Sequence, residues 1–169
     1  AAIVRGGYEY QGQKCSAASR IYLPSSMADR VLPRLVAEIN SLQMGDVSDF
    51  RNFVGAVIDR RAFQSIRSYI ELADGQAGGA RILCGGVCDD SQGYFIRPTL
   101  IQADDPRHRL MGEEIFGPVV TLHVYRSYEE ALQLVDTASP YALTGAVFAR
   151  DRQVITHTSS RLRQAAGNF

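Results

Sequence analysis

The sequence lacks the features that mark a nucleic-acid-binding or membrane protein. Tryptophan is absent, Lys14 is the only lysine among 18 basic residues, and 18 acidic residues bring the net charge to zero. A balanced charge leaves no electrostatic footprint for nucleic acid or for an anionic lipid surface. No apolar run approaches the ~20 residues that a helix needs to cross a bilayer. We therefore expect no nucleic-acid partner and no membrane insertion.

Cysteine is also scarce. The chain has three cysteines, Cys15, Cys84 and Cys88. An odd number at this spacing does not indicate a disulfide framework and favours a reducing compartment. The first residues lack the charged start and apolar stretch of a signal peptide. We expect the cytoplasm, with the mitochondrial matrix as the alternative. Both ends look like cuts through structured segments, because the chain starts abruptly and stops at Phe169, just after a glycine.

Hydrophobic patterning predicts the fold class. At 169 residues the chain has the length of one domain. Near-continuous apolar strands that alternate with amphipathic helices are typical of a parallel sheet covered on both faces. The sequence therefore predicts an α/β fold, a three-layer α/β/α sandwich with a mostly parallel sheet.

The expected elements follow from the same pattern. Serines after Pro24 offer an N-cap for the first long helix, in which Pro33 is tolerable only near the first turn. Pro98 favours an edge position for the extended segment that contains it. Strands are expected at 19–23, 80–84, 93–102, 119–125, 145–149 and from Gly167. Helices are expected over 31–42 with Gly45 as C-cap, after Asp59 with Gly75 beyond, over 128–138, and after Asp151.

The first segment with chemical potential is residues 10–17, the cysteine segment. It places Cys15 in a loop ahead of a strand, next to the cation of Lys14. Only a few per cent of a free thiol is thiolate at neutral pH, and a nearby cation favours that form. Gly12 would let the backbone approach a ligand, and the Cys15 N–H could serve an oxyanion. A small buried structural cysteine stays open as the alternative.

The second segment is residues 112–119, the glutamate segment. It places Glu113, Glu114 and Phe116 before a Gly-Pro turn and the strongest strand. A carboxylate can accept two ribose hydroxyls, and an aromatic ring can pack on a flat heterocycle. On spacing alone, a surface carboxylate pair beside a core phenylalanine is the more common arrangement.

Other sites find little support. Cys84 and Cys88 lack further ligands at zinc-site spacing, and His108, His123 and His157 are scattered, so no metal is expected. No G-x-G-x-x-G fingerprint, P-loop or serine nucleophile elbow is present.

Two motifs carry a resemblance to a known family. The stretch GQKCSAASR resembles the active-site cysteine segment of aldehyde dehydrogenases, and EEIFGPV resembles the second signature of that family. Further matches run through GGVCDDSQGYFIRPTL, ALTGAVFARD and LRQAAGNF. Within the family, the lysine before the cysteine and the serine after it look most like delta-1-pyrroline-5-carboxylate dehydrogenases.

The resemblance implies roles for four residues. Cys15 would be the nucleophile, forming a thiohemiacetal and then a thioester. Glu114 would bind the nicotinamide ribose of NAD, and Phe116 would contact the nicotinamide. Ser16 would line the aldehyde pocket. The implied reaction is the oxidation of L-glutamate gamma-semialdehyde, from 1-pyrroline-5-carboxylate, to L-glutamate in proline catabolism.

The resemblance also implies what is missing. The family's general-base glutamate, its oxyanion-hole asparagine and its NAD-binding domain lie upstream of the cysteine, and its C-terminal anchor and oligomerisation segments lie downstream. Relatives carry a lysine near the cofactor where this chain reads AFQS at 62–65. We therefore expect residues 1–169 to be the catalytic domain, with no tight NAD binding and no activity alone. The complete enzyme would be a homo-oligomer acting on a small aldehyde. Alternatives are another aldehyde dehydrogenase subfamily, a CoA-dependent relative, or a non-catalytic assembly domain.

Overall fold

A computed structural model describes residues 1–74 and 78–164. The helices are α1 (Ala2–Tyr8), α2 (Ser25–Asn40), α3 (Arg60–Asp74), α4 (Arg109–Gly112), α5 (Tyr128–Thr137) and α6 (Arg152–Arg161), and a kinked turn at Glu9–Gly12 follows α1. The strands are β1 (Arg20–Pro24), β2 (Ala80–Cys84), β3 (Cys88–Asp89), β4 (Phe95–Ile96), β5 (Thr99–Ala103) and β6 (Val119–Tyr125). None of the helices in these two ranges has the length and hydropathy needed to cross a bilayer.

The main sheet has four strands in the order β1-β6-β5-β2. The β1–β6 and β5–β6 pairs are parallel, and β2 runs antiparallel to β5. The expected mostly parallel sheet is confirmed. The edge position that Pro98 suggested is wrong, since β5 lies between two strands. Pro98 precedes β5 and so removes no hydrogen bond from its ladder.

Helices cover both faces of the sheet, which confirms the three-layer sandwich. Successive residues of β5 and β6 point to opposite faces, as strand geometry requires. One face packs against α1 and α2 through Val4, Tyr8, Leu35, Ile39, Leu100, Val120 and Leu122; the other packs against α3 through Phe63, Ile66, Ile70, Ile101 and Val119.

Helix α2 differs from expectation at both ends. It begins at Ser25 with Pro24 as the N-cap and no side-chain cap, so Pro33 lies well inside it. The missing N–H of Pro33 leaves one carbonyl of the preceding turn without its helical donor. The helix ends at Asn40, not near Gly45. Gly45 instead donates its N–H to the Val54 carbonyl in the following loop.

Helix α3 matches expectation closely. The Asp59 carboxylate accepts a hydrogen bond from the Ala62 N–H at 2.7 Å, which caps its start. Its buried side chains Phe63, Ile66, Ile70 and Ala73 share one face, and Tyr69 is only partly buried. The proposed stop at Gly75 lies outside the described residues.

The C-terminal third contains one wrong prediction. Helices α5 and α6 form as expected, and the Asp151 carboxylate caps α6 through the Gln153 N–H at 2.8 Å. The segment 145–149 is not a strand, and the Phe148 side chain is 77% exposed. A strand needs a neighbour to satisfy its backbone, and this segment pairs with none of the described strands. The strand expected from Gly167 lies outside the described residues.

Candidate active site

The cysteine and glutamate segments lie at the same end of the sheet. The cysteine segment leads into β1 and the glutamate segment into β6, and these strands are parallel neighbours with Arg20 opposite Thr121. Because parallel strands begin at the same edge, the two segments meet at the amino ends of their strands. Most open α/β sheets bind ligands at the carboxyl ends instead.

Gly12 brings the two segments into contact. Its φ is +64°, and a Cβ at this position would lie 2.9 Å from the Gly7 carbonyl oxygen and closer still to the Gly117 carbonyl group. Only glycine adopts this conformation and permits this approach without strain. The backbone of the cysteine segment therefore lies directly on the backbone of the glutamate segment.

Two glutamines fasten the cysteine segment to the loop before α3. The Gln11 side-chain amide donates to the Ala56 carbonyl oxygen at 3.3 Å. The Gln13 side-chain oxygen accepts from the Ile58 N–H at 3.1 Å. Tyr10 and Gln11 have φ angles of 53° and 59°, so the left-handed conformation begins before Gly12. The two long-range hydrogen bonds thus hold the backbone that leads to Cys15 in a strained conformation.

The cation beside the cysteine has a different partner from the one expected. The Lys14 ammonium donates to the Glu9 carboxylate at 2.9 Å and lies 5.5 Å from the centre of the Tyr10 ring. The hydrogen bond from Lys14 and the positive charge of its ammonium group lower the pKa of Glu9, and the more distant Arg5 adds to the effect. The charge of Lys14 is therefore largely directed at Glu9 and not at the thiol.

Cys15 is exposed, which argues against the alternative of a buried structural cysteine. Cys84 and Cys88 are half-buried, and that burial raises the pKa of both thiols. Among the three, only Cys15 is both exposed and located where the cysteine segment meets the glutamate segment.

Cys15, Glu114 and Phe116 line one cleft. The cleft has a volume of about 70 Å³, room for a few water molecules, whereas pockets that bury a small ligand have about 300 Å³ or more. Its far wall is formed by Ser139, Tyr141, Leu143 and Thr144. The structure thus places three of the four expected site residues together.

Ser16 lies beside the cleft but not in its lining. It is exposed, and its carbonyl oxygen accepts a hydrogen bond from the Thr144 hydroxyl at 3.3 Å. This bond ties the cysteine segment to the far wall of the cleft. Sequence reasoning missed that wall, because the match ALTGAVFARD, which begins at Ala142, assigns no chemical role to Leu143 or Thr144.

The two carboxylates of the glutamate segment have different environments. Glu113 accepts from the Arg109 guanidinium and from the Tyr69 hydroxyl, both at 2.6 Å, and these bonds lower the pKa of Glu113. Glu114 is exposed and makes no hydrogen bond or ion pair within residues 1–74 and 78–164. Glu114 therefore keeps all its acceptor positions for a ligand.

Phe116 has an unusual backbone. Its φ is 55°, and its side chain is 43% exposed at the cleft. A bulky residue in the left-handed region is an outlier of the kind that clusters at functional sites. The ring is therefore held at the cleft and does not plug the core.

The histidines have local roles. The buried His123 ring lies 3.0 Å from the Ala103 carbonyl oxygen, His108 caps α4 by accepting from the Leu110 N–H, and His157 contacts Glu129. In the part of the chain that the structure describes, no three metal-ligating side chains come together.

Comparison with known proteins identifies the family. The family model described as "Aldehyde dehydrogenase family" matches residues 1–169. The chain belongs to this family. As an aldehyde dehydrogenase chain it is 49% identical over 168 residues to a mitochondrial delta-1-pyrroline-5-carboxylate dehydrogenase of Dictyostelium discoideum, with 98% of this chain and 30% of the relative covered. The human mitochondrial enzyme of the same name is 46% identical over 169 residues, with the same coverage.

Solved structures give the same result. A delta-pyrroline-5-carboxylate dehydrogenase of Mycobacterium tuberculosis bound with NAD matches with a TM-score of 0.90 and 47% identity, over 99% of this chain and 30% of that one. A Staphylococcus aureus betaine aldehyde dehydrogenase in complex with NAD⁺ matches with a TM-score of 0.89 and 35% identity, over 98% of this chain and 33% of that one. The aldehyde dehydrogenase chain thus spans about 30% of the length of its curated relatives.

Proposed function

We propose that the protein carrying this chain is an NAD-dependent aldehyde dehydrogenase that oxidises L-glutamate gamma-semialdehyde to L-glutamate. Residues 1–169 are its catalytic domain. The observation that supports this best is the exposed Cys15 sharing a cleft with Glu114 and Phe116. The names of relatives 46–49% identical to this chain support the substrate.

Cys15 is the proposed nucleophile. Its thiolate adds to the aldehyde carbon, forming a C–S bond and a thiohemiacetal oxyanion. The Cys15 backbone N–H is one of the donors that stabilise this charge. Loss of hydride from the carbon restores the C=O bond and leaves a thioester, and water then cleaves the C–S bond to release the acid and the thiol. A covalent intermediate divides one difficult step into two easier ones.

NAD, when bound, accepts the hydride. Glu114 fits the ribose because it is exposed and has no other partner in the described residues, and a carboxylate can accept both hydroxyls. Phe116 fits the nicotinamide because its exposed ring faces the same cleft as Cys15. Ser16 is the proposed substrate contact beside the nucleophile. A cleft of about 70 Å³ is too small to bury a dinucleotide, so we propose no tight NAD binding by this chain alone.

We propose that turnover also needs groups from outside residues 1–169. A general base for the attacking water and a second oxyanion donor are each worth ~10² or more in rate. We therefore propose that the 169-residue chain does not turn over aldehyde by itself and that the complete enzyme is a homo-oligomer. The cytoplasm is the proposed compartment, and the word "mitochondrial" in the relatives' names supports the matrix alternative.

The test is NAD reduction by the complete enzyme with L-glutamate gamma-semialdehyde. Cys15→Ser should abolish turnover while Cys84→Ser, which changes a half-buried thiol away from the cleft, retains it. An active Cys15→Ser variant would overturn the nucleophile assignment. The 169-residue chain, assayed in parallel, should show no NAD reduction.

A further inference from the structure

Helix α3 contacts the glutamate segment at two points that flank Glu114 and Phe116. The Tyr69 hydroxyl donates to the Glu113 carboxylate at 2.6 Å. The Ile66 side chain packs on Gly117 so closely that a Cβ there would lie 2.7 Å from the Ile66 Cγ1 atom. Residues three apart on a helix share a face. One face of α3 therefore contacts both ends of the stretch from Glu113 to Gly117.

Arg109 completes the support at the Glu113 end. Its guanidinium donates to Glu113 at 2.6 Å and lies 5.3 Å from the centre of the Tyr69 ring. The three side chains are thus in mutual contact, joining α3, α4 and the start of the glutamate segment. All three are partly exposed, so the cluster contributes little to the stability of the core, but it connects the glutamate segment to α3 and α4.

That backbone needs support. Glu113 is extended at the end of α4, and three residues later Phe116 has a φ of 55°. A chain that changes from extended to left-handed within so few residues holds its conformation only when its surroundings determine it. Tyr69 and Ile66 are side chains of α3 that contact this segment at its two ends.

We propose that Tyr69 is a positioning residue for cofactor binding: its hydrogen bond to Glu113 fixes the glutamate segment so that Glu114 and Phe116 face the Cys15 cleft. This inference rests on the proposed function of those two residues. Tyr69 is not among the residues that line the Cys15 cleft, so we expect it to act on the affinity for NAD and not on the chemistry of the thiol.

The experiment measures the KM for NAD, kcat at saturating NAD, the Cys15 alkylation rate and the thermal midpoint of the complete enzyme. Tyr69→Phe should raise the KM for NAD about fivefold, the change expected for loss of one hydrogen bond to a partly exposed charged group. The other three quantities should stay close to wild type. Tyr94→Phe is the matched control, because Tyr94 packs on Phe63 of the same helix with ring centres 5.9 Å apart and makes no contact with Glu113.

Two further variants separate positioning from general stability. Glu113→Gln keeps an acceptor for the Tyr69 hydroxyl, so it should raise the KM for NAD less than Glu113→Ala. An unchanged KM in Tyr69→Phe, an equal rise in Tyr94→Phe, or a loss of kcat with no change in KM would each overturn the proposal.

Glu114→Gln distinguishes a failure of the positioning role of Tyr69 from a failure of the cofactor role proposed for Glu114. If Glu114→Gln raises the KM for NAD and Tyr69→Phe does not, only the positioning role fails. If Glu114→Gln has no effect on NAD binding, the cofactor role of the segment fails, and the positioning role fails with it.

Discussion

Gly12→Ala is the substitution that tests the geometry of the site most directly. The φ of Gly12 is +64°, and the added methyl group would meet the carbonyl groups of Gly7 and Gly117. These are backbone atoms of α1 and of the glutamate segment, so no side chain can rotate away. The methyl group can be accommodated only if the cysteine and glutamate segments separate.

The expected cost has two parts. An alanine in the left-handed conformation costs ~1–2 kcal/mol, and forcing a methyl group into a closely packed site costs a further ~1–3 kcal/mol. We therefore expect the free energy of unfolding to fall by ~2–5 kcal/mol. This is a large share of the ~5–15 kcal/mol that stabilises a typical domain.

The assay is urea unfolding followed by far-UV circular dichroism, with Gly79→Ala as the control. Gly79 has a φ of +66°, and a Cβ there would meet nothing within 4 Å. Gly79→Ala should therefore show the conformational cost without the contact cost. Equal losses of stability in the two variants would refute the claim that the two segments are in tight contact.

Three further outcomes follow from the described contacts. Thiol alkylation at neutral pH should modify the exposed Cys15 before Cys88, because burial raises the pKa of the Cys88 thiol; equal rates read by mass spectrometry would contradict this. Tyr8→Phe removes the buried hydrogen bond from the Tyr8 hydroxyl to the Thr99 carbonyl oxygen, 2.9 Å long, and should lower the free energy of unfolding by ~1–2 kcal/mol. Tyr22→Phe removes a buried hydroxyl that has no hydrogen-bond partner in the described residues, so it should leave the free energy of unfolding unchanged. Glu9→Gln should slightly lower the free energy of unfolding above pH 4.5, the ordinary pKa of that carboxyl. The difference in stability from wild type should vanish as the pH falls through the lowered pKa of Glu9. A difference that persists in acid would contradict the ion pair with Lys14.

The strands that the sequence predicts correctly are those with a partner in the described chain. Residues 119–125 form β6 with the expected bounds because the strand is buried on both faces and hydrogen-bonded on both edges. Residues 145–149 are also near-continuously apolar and yet form no strand. Strand propensity reflects the fit to a neighbouring surface, so hydrophobic pattern alone cannot distinguish these two segments.

The sequence singles out Cys15, Glu114 and Phe116 through two motifs that resemble the signatures of a family, and the structure brings these three residues to one cleft. Their catalytic and cofactor roles stay predictions. Tyr69 was not predictable, because in the sequence it is one more position on the amphipathic face of α3. Its relation to Glu113 spans 44 residues and depends on how α3 crosses the sheet.

The left-handed backbone of Tyr10, Gln11 and Gly12 shows why the local sequence does not suffice to predict the conformation of this segment. Only the glycine favours this conformation, and each of the other two residues costs ~1–2 kcal/mol. A right-handed turn would avoid that cost, but it would move Gln11 and Gln13 from their partners in the 56–58 loop and Gly12 from Gly117. The strain is therefore offset by contacts with two distant parts of the chain. Because those contacts also set the direction in which the segment reaches Cys15, we attribute the strain to the demands of the site and not to the turn itself.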